Sequence, residues 1–226
     1  MSYTPQQMLA THRGGGLYSA AVSQRVGAVL AASAGNAGIH PSVLTLASLT
    51  VGVASSVIAG YAGVRGSWPL GLFALFGWQL AYAFDCADGQ LARTAGQTSP
   101  YGARTDVLVD FAVQTSVVAA VVTIVDHYQH PHPAVLAAYA TLWVVSLFMS
   151  VLASGAGATS LIGSSSTPVQ VLKLVRDYGF VILVLGLLVT LAPRYTIAFL
   201  IFYTAFNGLF LLASIARAAQ LSMRPS

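Results

Sequence analysis

Four of the six acidic residues in this chain fall within one window of 26 positions, and all six are aspartates. Asp85 and Asp88 stand three apart, and Asp106 and Asp110 stand four apart. Side chains at those spacings share a helix face, so the window presents two carboxylate pairs. Between them run Gly89, Gln90, Leu91, Ala92 and Arg93, then eight residues, then Gly102. An ionised carboxylate in an apolar helix costs about 2.5–3.5 kcal/mol on insertion scales, and four together repel one another. Hard divalent cations suit such a donor set, and paired metals about 3.5–4 Å apart recur in phosphoryl chemistry. Gly89, Ala92 and Gly102 leave room for a diphosphate close to the backbone. Arg93, one turn beyond Gly89, would take a phosphate bidentately.

The elements that must hold these residues are membrane helices. Of 226 residues, 56% are hydrophobic and 7% charged, against about 25% charged in soluble domains. The mean hydropathy is +0.75. Apolar stretches of about 20 residues predict six spans near 41–63, 69–94, 100–125, 133–154, 177–192 and 195–216. The turn from Gly96 to Pro100 makes the second and third spans antiparallel neighbours, so that the two carboxylate pairs face each other. Residues 17–34, with Leu17, Val22, Val26, Val29 and Leu30 among polar residues, predict a helix lying in the membrane interface. The first 16 residues, ending in three glycines, are expected to be flexible. The organisation is thus residues 1–36 as tail and interfacial helix, followed by one six-span domain over 37–226.

Cys86 is the single cysteine and excludes an internal disulfide. The N-terminus shows no short apolar region with a small-residue cleavage site. A net charge of +4 spread along the chain suits cytoplasmic loops and anionic headgroups rather than nucleic acid. With the N-terminus inside, eight of the ten Lys and Arg residues lie on the inner side and two, Arg65 and Arg194, outside. Both halves of the aspartate window then face the cytoplasm.

The string D-x2-D-G-x2-A-R-x8-G-x3-D-x3-D resembles the signature of the CDP-alcohol phosphotransferase family at every fixed position: Asp85, Asp88, Gly89, Ala92, Arg93, Gly102, Asp106 and Asp110. The six-span plan is also similar to that family. The resemblance implies a membrane enzyme of phospholipid synthesis. It would move a phosphatidyl or phospho-alcohol group from a CDP-linked donor, with CDP-diacylglycerol foremost, to an alcohol or lipid hydroxyl and release CMP. It implies Mg²⁺ or Mn²⁺, as two ions, on Asp85, Asp88 and Asp106. Asp110 would be a further ligand, the general base, or both. Gly89, Ala92, Arg93 and Gly102 would border the cytidine diphosphate. Pro41 and Thr45 match a segment that opens the first span in many relatives and would also contact the cytidine diphosphate, although Ser42 stands where those relatives have asparagine. A homodimer is implied as well.

Lys173 and Arg176, just before the fifth span, read either as a basic mouth for a substrate phosphate or headgroup or as an inner-surface anchor. Arg104 reads as an interface anchor, with phosphate contact as the other reading. His127, His130 and His132 form an outer loop that reads as a connector rather than a metal site. Two rival functions remain at this level. One is a membrane prenyltransferase, which also holds a diphosphate through Asp-rich helices. The other is a divalent-cation transporter using the aspartates as its path. If the carboxylates act directly, Asp88→Asn and Asp110→Asn each abolish turnover while leaving the purified protein folded by circular dichroism. Full turnover in either variant would contradict the assigned roles.

Overall fold

In the computed structural model, which describes residues 2–12, 15–155 and 174–223, all regular structure among these residues is helical. A short α1 (Pro5–Ala10) is followed by a π-helical stretch (Ser19–Ser23) that continues into α2 (Gln24–Asn36). Long helices follow: α3 (Pro41–Arg65), α4 (Trp68–Thr94), α5 (Pro100–Gln129) and α6 (Pro133–Gly155). After the undescribed stretch come α7 (Tyr178–Leu191), a 3-10 turn (Pro193–Tyr195) and α8 (Thr196–Ser222).

The ends of the site-bearing helices follow from local chemistry. Pro41 and Pro100 occupy the first turns of α3 and α5, where a missing N–H costs nothing. The Ser99 hydroxyl caps α5 by accepting from the Gly102 amide at 2.9 Å. α4 stops at a left-handed Gly96, φ +66°, and the Gln97 amide returns to the Ala92 carbonyl at 2.8 Å. That geometry favours glycine and turns the chain so that α5 runs back beside α4.

α3, α4 and α5 pack together through small residues and a polar link. Trp78 of α4 donates to Ser56 of α3 at 2.9 Å, and Ser116 of α5 reaches the same hydroxyl at 2.8 Å. The main core, with Trp78, Val117, Val121, Ile124, Trp143, Ile182, Leu185 and Leu200, joins α4–α8.

Among the described residues, five helical stretches are long and apolar enough to cross a membrane, namely Pro41–Arg65, Trp68–Thr94, Pro100–Gln129, Pro133–Leu152 and Pro193–Gln220. The chain is an integral membrane protein. The predicted fifth span is the shorter apolar helix α7, with 14 residues. At 1.5 Å per residue it reaches about 21 Å, short of the roughly 30 Å hydrocarbon core. Buried Val181, Ile182 and Leu185 place it inside the bundle.

One expectation for the N-terminal region is corrected. The first residues are not a loose tail over 2–12. Thr4 and Gln7 form a capping box on α1, Met8 is fully buried among Ala31, Leu44, Ala87 and Leu91, and the Asn36 side chain grips both polar backbone atoms of Tyr3 at 2.7 and 2.9 Å. The glycines mislead because the order comes from tertiary docking, which composition does not report. In α2, the buried face is Gly27, Ala28, Ala31, Ala32 and Ala34, whereas Leu17, Val22, Val26 and Val29 are exposed. Small residues face the protein because they allow close approach, a pattern of membrane helix packing.

Gly27 is where that approach is tightest. A Cβ there would stand 2.8 Å from Cys86 Cβ, 3.0 Å from the Ala83 carbonyl oxygen and 3.2 Å from the Ala87 amide nitrogen. α2 therefore lies directly against the backbone of α4 beside Asp85 and Asp88, and Cys86 is a buried packing residue there. Gly27→Val must push the helices apart and should destabilise the protein by about 1–3 kcal/mol, read as a lower melting temperature in detergent. An unchanged melting temperature would contradict this packing.

Candidate active site between two cavities

The carboxylates of Asp85, Asp88 and Asp106 converge as the sequence spacing predicts, with one oxygen from each within 4.8 Å of the others. Asp85 and Asp88 come from the last turns of α4, and Asp106 comes from the second turn of α5. Asp110, one turn further along α5, lies outside this group of three. Three hard oxygen donors at such separation fit a divalent cation. Asp88 is held in place by its neighbour, because the buried Thr45 hydroxyl of α3 donates to Asp88 Oδ2 at 2.5 Å. Thr45 thus bonds a carboxylate directly, a contact that the sequence pattern does not specify.

The three carboxylates divide two cavities. The smaller, about 180 Å³, is lined by the start of α3, the end of α4, the turn and the start of α5. Its wall contains Pro41, Thr45, Asp88, Gly89, Ala92, Arg93, Gly102 and Asp106. All six residues that the family pattern sets beside the cytidine diphosphate therefore line one space. Ser42 lines it too, as does His40, which caps α3 by accepting from the Ser42 amide at 3.2 Å. A Cβ at Gly89 would stand 2.9 Å from Arg93 Nη1, the far end of a long side chain. The Arg93 guanidinium also donates through Nε to the Thr11 carbonyl at 2.7 Å.

The larger cavity, about 610 Å³, takes Asp85, Asp106 and Asp110 on one side. Its other walls include Tyr82, Gln114, Trp143, Ser146, Ser150, Tyr178 and Tyr203. Arg176 lines it as well, with its guanidinium 3.8 Å from the centre of the Phe210 ring. Burial lowers the Arg176 pKa from its ordinary value, a desolvation that an anionic ligand would offset. Lys173 lies outside the described residues. Arg104 is exposed and lines neither cavity. Among the described residues, the His127–His132 loop brings no metal-ligand cluster together.

Sequence reasoning missed the sixth aspartate near this site. Asp177 is buried, caps α7 by accepting from the Gly179 amide at 3.1 Å, and accepts from the Ser19 amide at 2.8 Å and from the Ser19 hydroxyl. The Ser19 hydroxyl is also 3.0 Å from that of Tyr82. This ties the start of the N-terminal helix to the residue beside Arg176. An aspartate immediately before an apolar run was the available signal.

A comparison with family models matches residues 38–216 to CDP-alcohol phosphatidyltransferase. The chain belongs to that family. A comparison with curated proteins found no match. The matched region spans α3 to α8 and contains all four window aspartates, both cavities' helical walls and Arg176. Membership places the chain among transferases that take a phosphorylated alcohol unit from a CDP-linked donor. The Thr45–Asp88 bond gives a direct test of how the acidic group is held. If a divalent cation sits on these carboxylates, Thr45→Val should raise the Mg²⁺ concentration for half-maximal turnover by about tenfold or more, the usual effect of losing a partner that orients a ligand. An unchanged Mg²⁺ requirement would leave the bond without a role.

Proposed function

We propose that the protein transfers a phosphatidyl group from CDP-diacylglycerol to an alcohol hydroxyl and releases CMP at the cytoplasmic face of the membrane. The observation that carries this reading is the placement of the acidic group between the two cavities. The small cavity has a diphosphate-friendly wall of glycine, alanine and one arginine. The larger has room for a polar acceptor near the lipid boundary. The eight-to-two bias of Lys and Arg supports the cytoplasmic orientation. In this reading α7 is the fifth of six crossings, α2 rests in the interface with Leu17, Val22, Val26 and Val29 toward lipid, and two copies form a homodimer.

Asp85, Asp88 and Asp106 would hold Mg²⁺ or Mn²⁺, as two ions, and the bound metal would supply positive charge against the diphosphate and the charge that develops on departing CMP. Arg93 and the small residues around it seat the cytidine diphosphate. Asp110 faces only the larger cavity, so its role is to take the proton of the acceptor hydroxyl. The acceptor oxygen forms its bond to the donor phosphorus, the phosphorus–oxygen bond to CMP breaks, and the proton passes to Asp110. Arg176 orients the acceptor or a lipid phosphate in the larger cavity.

Incubation of the purified protein in liposomes with labelled CDP-diacylglycerol and a panel of alcohols tests the reading. CMP release that needs an added alcohol, stops with EDTA and returns with Mg²⁺ or Mn²⁺ is expected. CMP release only from a CDP-linked small alcohol would reverse donor and acceptor. Pyrophosphate from a prenyl diphosphate, or cation flux without CMP, would overturn the reading.

A further inference from the structure

The N-terminal segment makes a contact that packing alone does not require. The Arg93 Nε donates to the Thr11 carbonyl at 2.7 Å, on the same guanidinium whose Nη1 and Nη2 lie nearest to Gly89 and which lines the smaller cavity. Thr11 is itself fixed on both sides. Its hydroxyl donates to the Met8 carbonyl at 2.8 Å, lies 3.4 Å from the Gln90 carbonyl and stands 3.1 Å from the Thr94 hydroxyl. Behind it, fully buried Met8 anchors α1, and Asn36 at the end of α2 clasps Tyr3. A flexible arginine, with about 2 kcal/mol of rotamer entropy, is thereby fixed at its Nε end by backbone supplied from outside the family-matched region, which begins at residue 38.

We infer that residues 2–12 form a positioning clamp that orients Arg93 for the diphosphate of a CDP-linked ligand. The segment touches the ligand only through Arg93, so Thr11 is a positioning residue rather than a catalytic one. An arginine fixed through Nε presents its two terminal nitrogens as a fork, the geometry for bidentate phosphate binding. Without the clamp the guanidinium keeps its charge and loses the anchor that the Thr11 carbonyl gives its Nε. The inference rests on the proposed nucleotide role of the smaller cavity.

A mutant cycle tests it. The full chain, a variant lacking residues 2–12, Arg93→Ala, and the two combined are titrated with CDP in the presence of Mg²⁺, and CMP-releasing turnover is measured in parallel. In the Arg93 background the deletion should weaken CDP binding and raise the donor KM by about tenfold, the scale of one charge-assisted hydrogen bond, with kcat changed less than about twofold. In the Arg93→Ala background the same deletion should change both by less than about twofold. Thr11→Val and Asn36→Ala, which loosen the clamp without shortening the chain, carry the same cycle if the deletion does not fold. Equal losses in both backgrounds, or a lower melting temperature with CDP affinity unchanged, would overturn the clamp. Intact CDP binding with no CMP release from any donor would instead overturn the transfer reaction and leave the clamp standing.

Discussion

Bringing three or four carboxylates together at the end of an apolar helix bundle is the constraint on which the rest of this structure depends. Charges of one sign at such a distance repel, and water that would screen them is scarce near a membrane core. The bundle meets the constraint by geometry. The sharp turn at Gly96 and the Ser99 cap set α4 and α5 side by side, and the Ser56 link with Trp78 and Ser116 fixes α3 against both. The Thr45 hydroxyl then reaches Asp88 from the third helix. A site so built suits a hard cation. The family match over residues 38–216 fits that electrostatic logic, because the chemistry is phosphoryl transfer from a nucleotide-linked donor.

The acidic centre sits between two cavities, and in the proposed reaction each substrate reaches it from its own side. Asp106 lines both, Asp88 only the smaller and Asp85 only the larger. The smaller is lined by helix ends and a polar turn, as suits a soluble nucleotide moiety. The larger is walled by aromatic rings, serines and one arginine, as suits an amphipathic or polar acceptor. The smaller is walled where α3 and α5 begin and α4 ends, and the larger takes residues from the later part of α6 and from just before and at the start of α7. The N-terminal region closes the arrangement from outside, with Gly27 on the back of α4, Ser19 on Asp177 and Thr11 on Arg93.

Much of this was legible in the amino-acid order because membrane helices announce themselves by length and polarity. The span predicted over 41–63 is Pro41–Arg65, and that over 100–125 is Pro100–Gln129; prolines fix the starts, while the ends drift because apolar periodicity fades gradually. The meeting of Asp85, Asp88 and Asp106 followed from three-residue and short-turn spacing alone. The same rules failed in the N-terminal region. There the docking of residues 2–12 left no local signal, and in α2 the protein-facing side carries glycine and alanine, which close packing selects, while Val22, Val26 and Val29 stay exposed. The Thr11 carbonyl is backbone, and no residue type encodes it. Asp177 was visible only as one more charge, and its bond to Ser19 joins positions 158 residues apart, beyond any local pattern.

The most direct measurement is anomalous diffraction from crystals grown with Mn²⁺ and CDP. Manganese density among the carboxylates of Asp85, Asp88 and Asp106, with the diphosphate beside Gly89 and Arg93 in the smaller cavity, is the expected result. Ordered CDP with its manganese elsewhere, or manganese bound at a site that excludes those three carboxylates, would contradict the assignment of this centre.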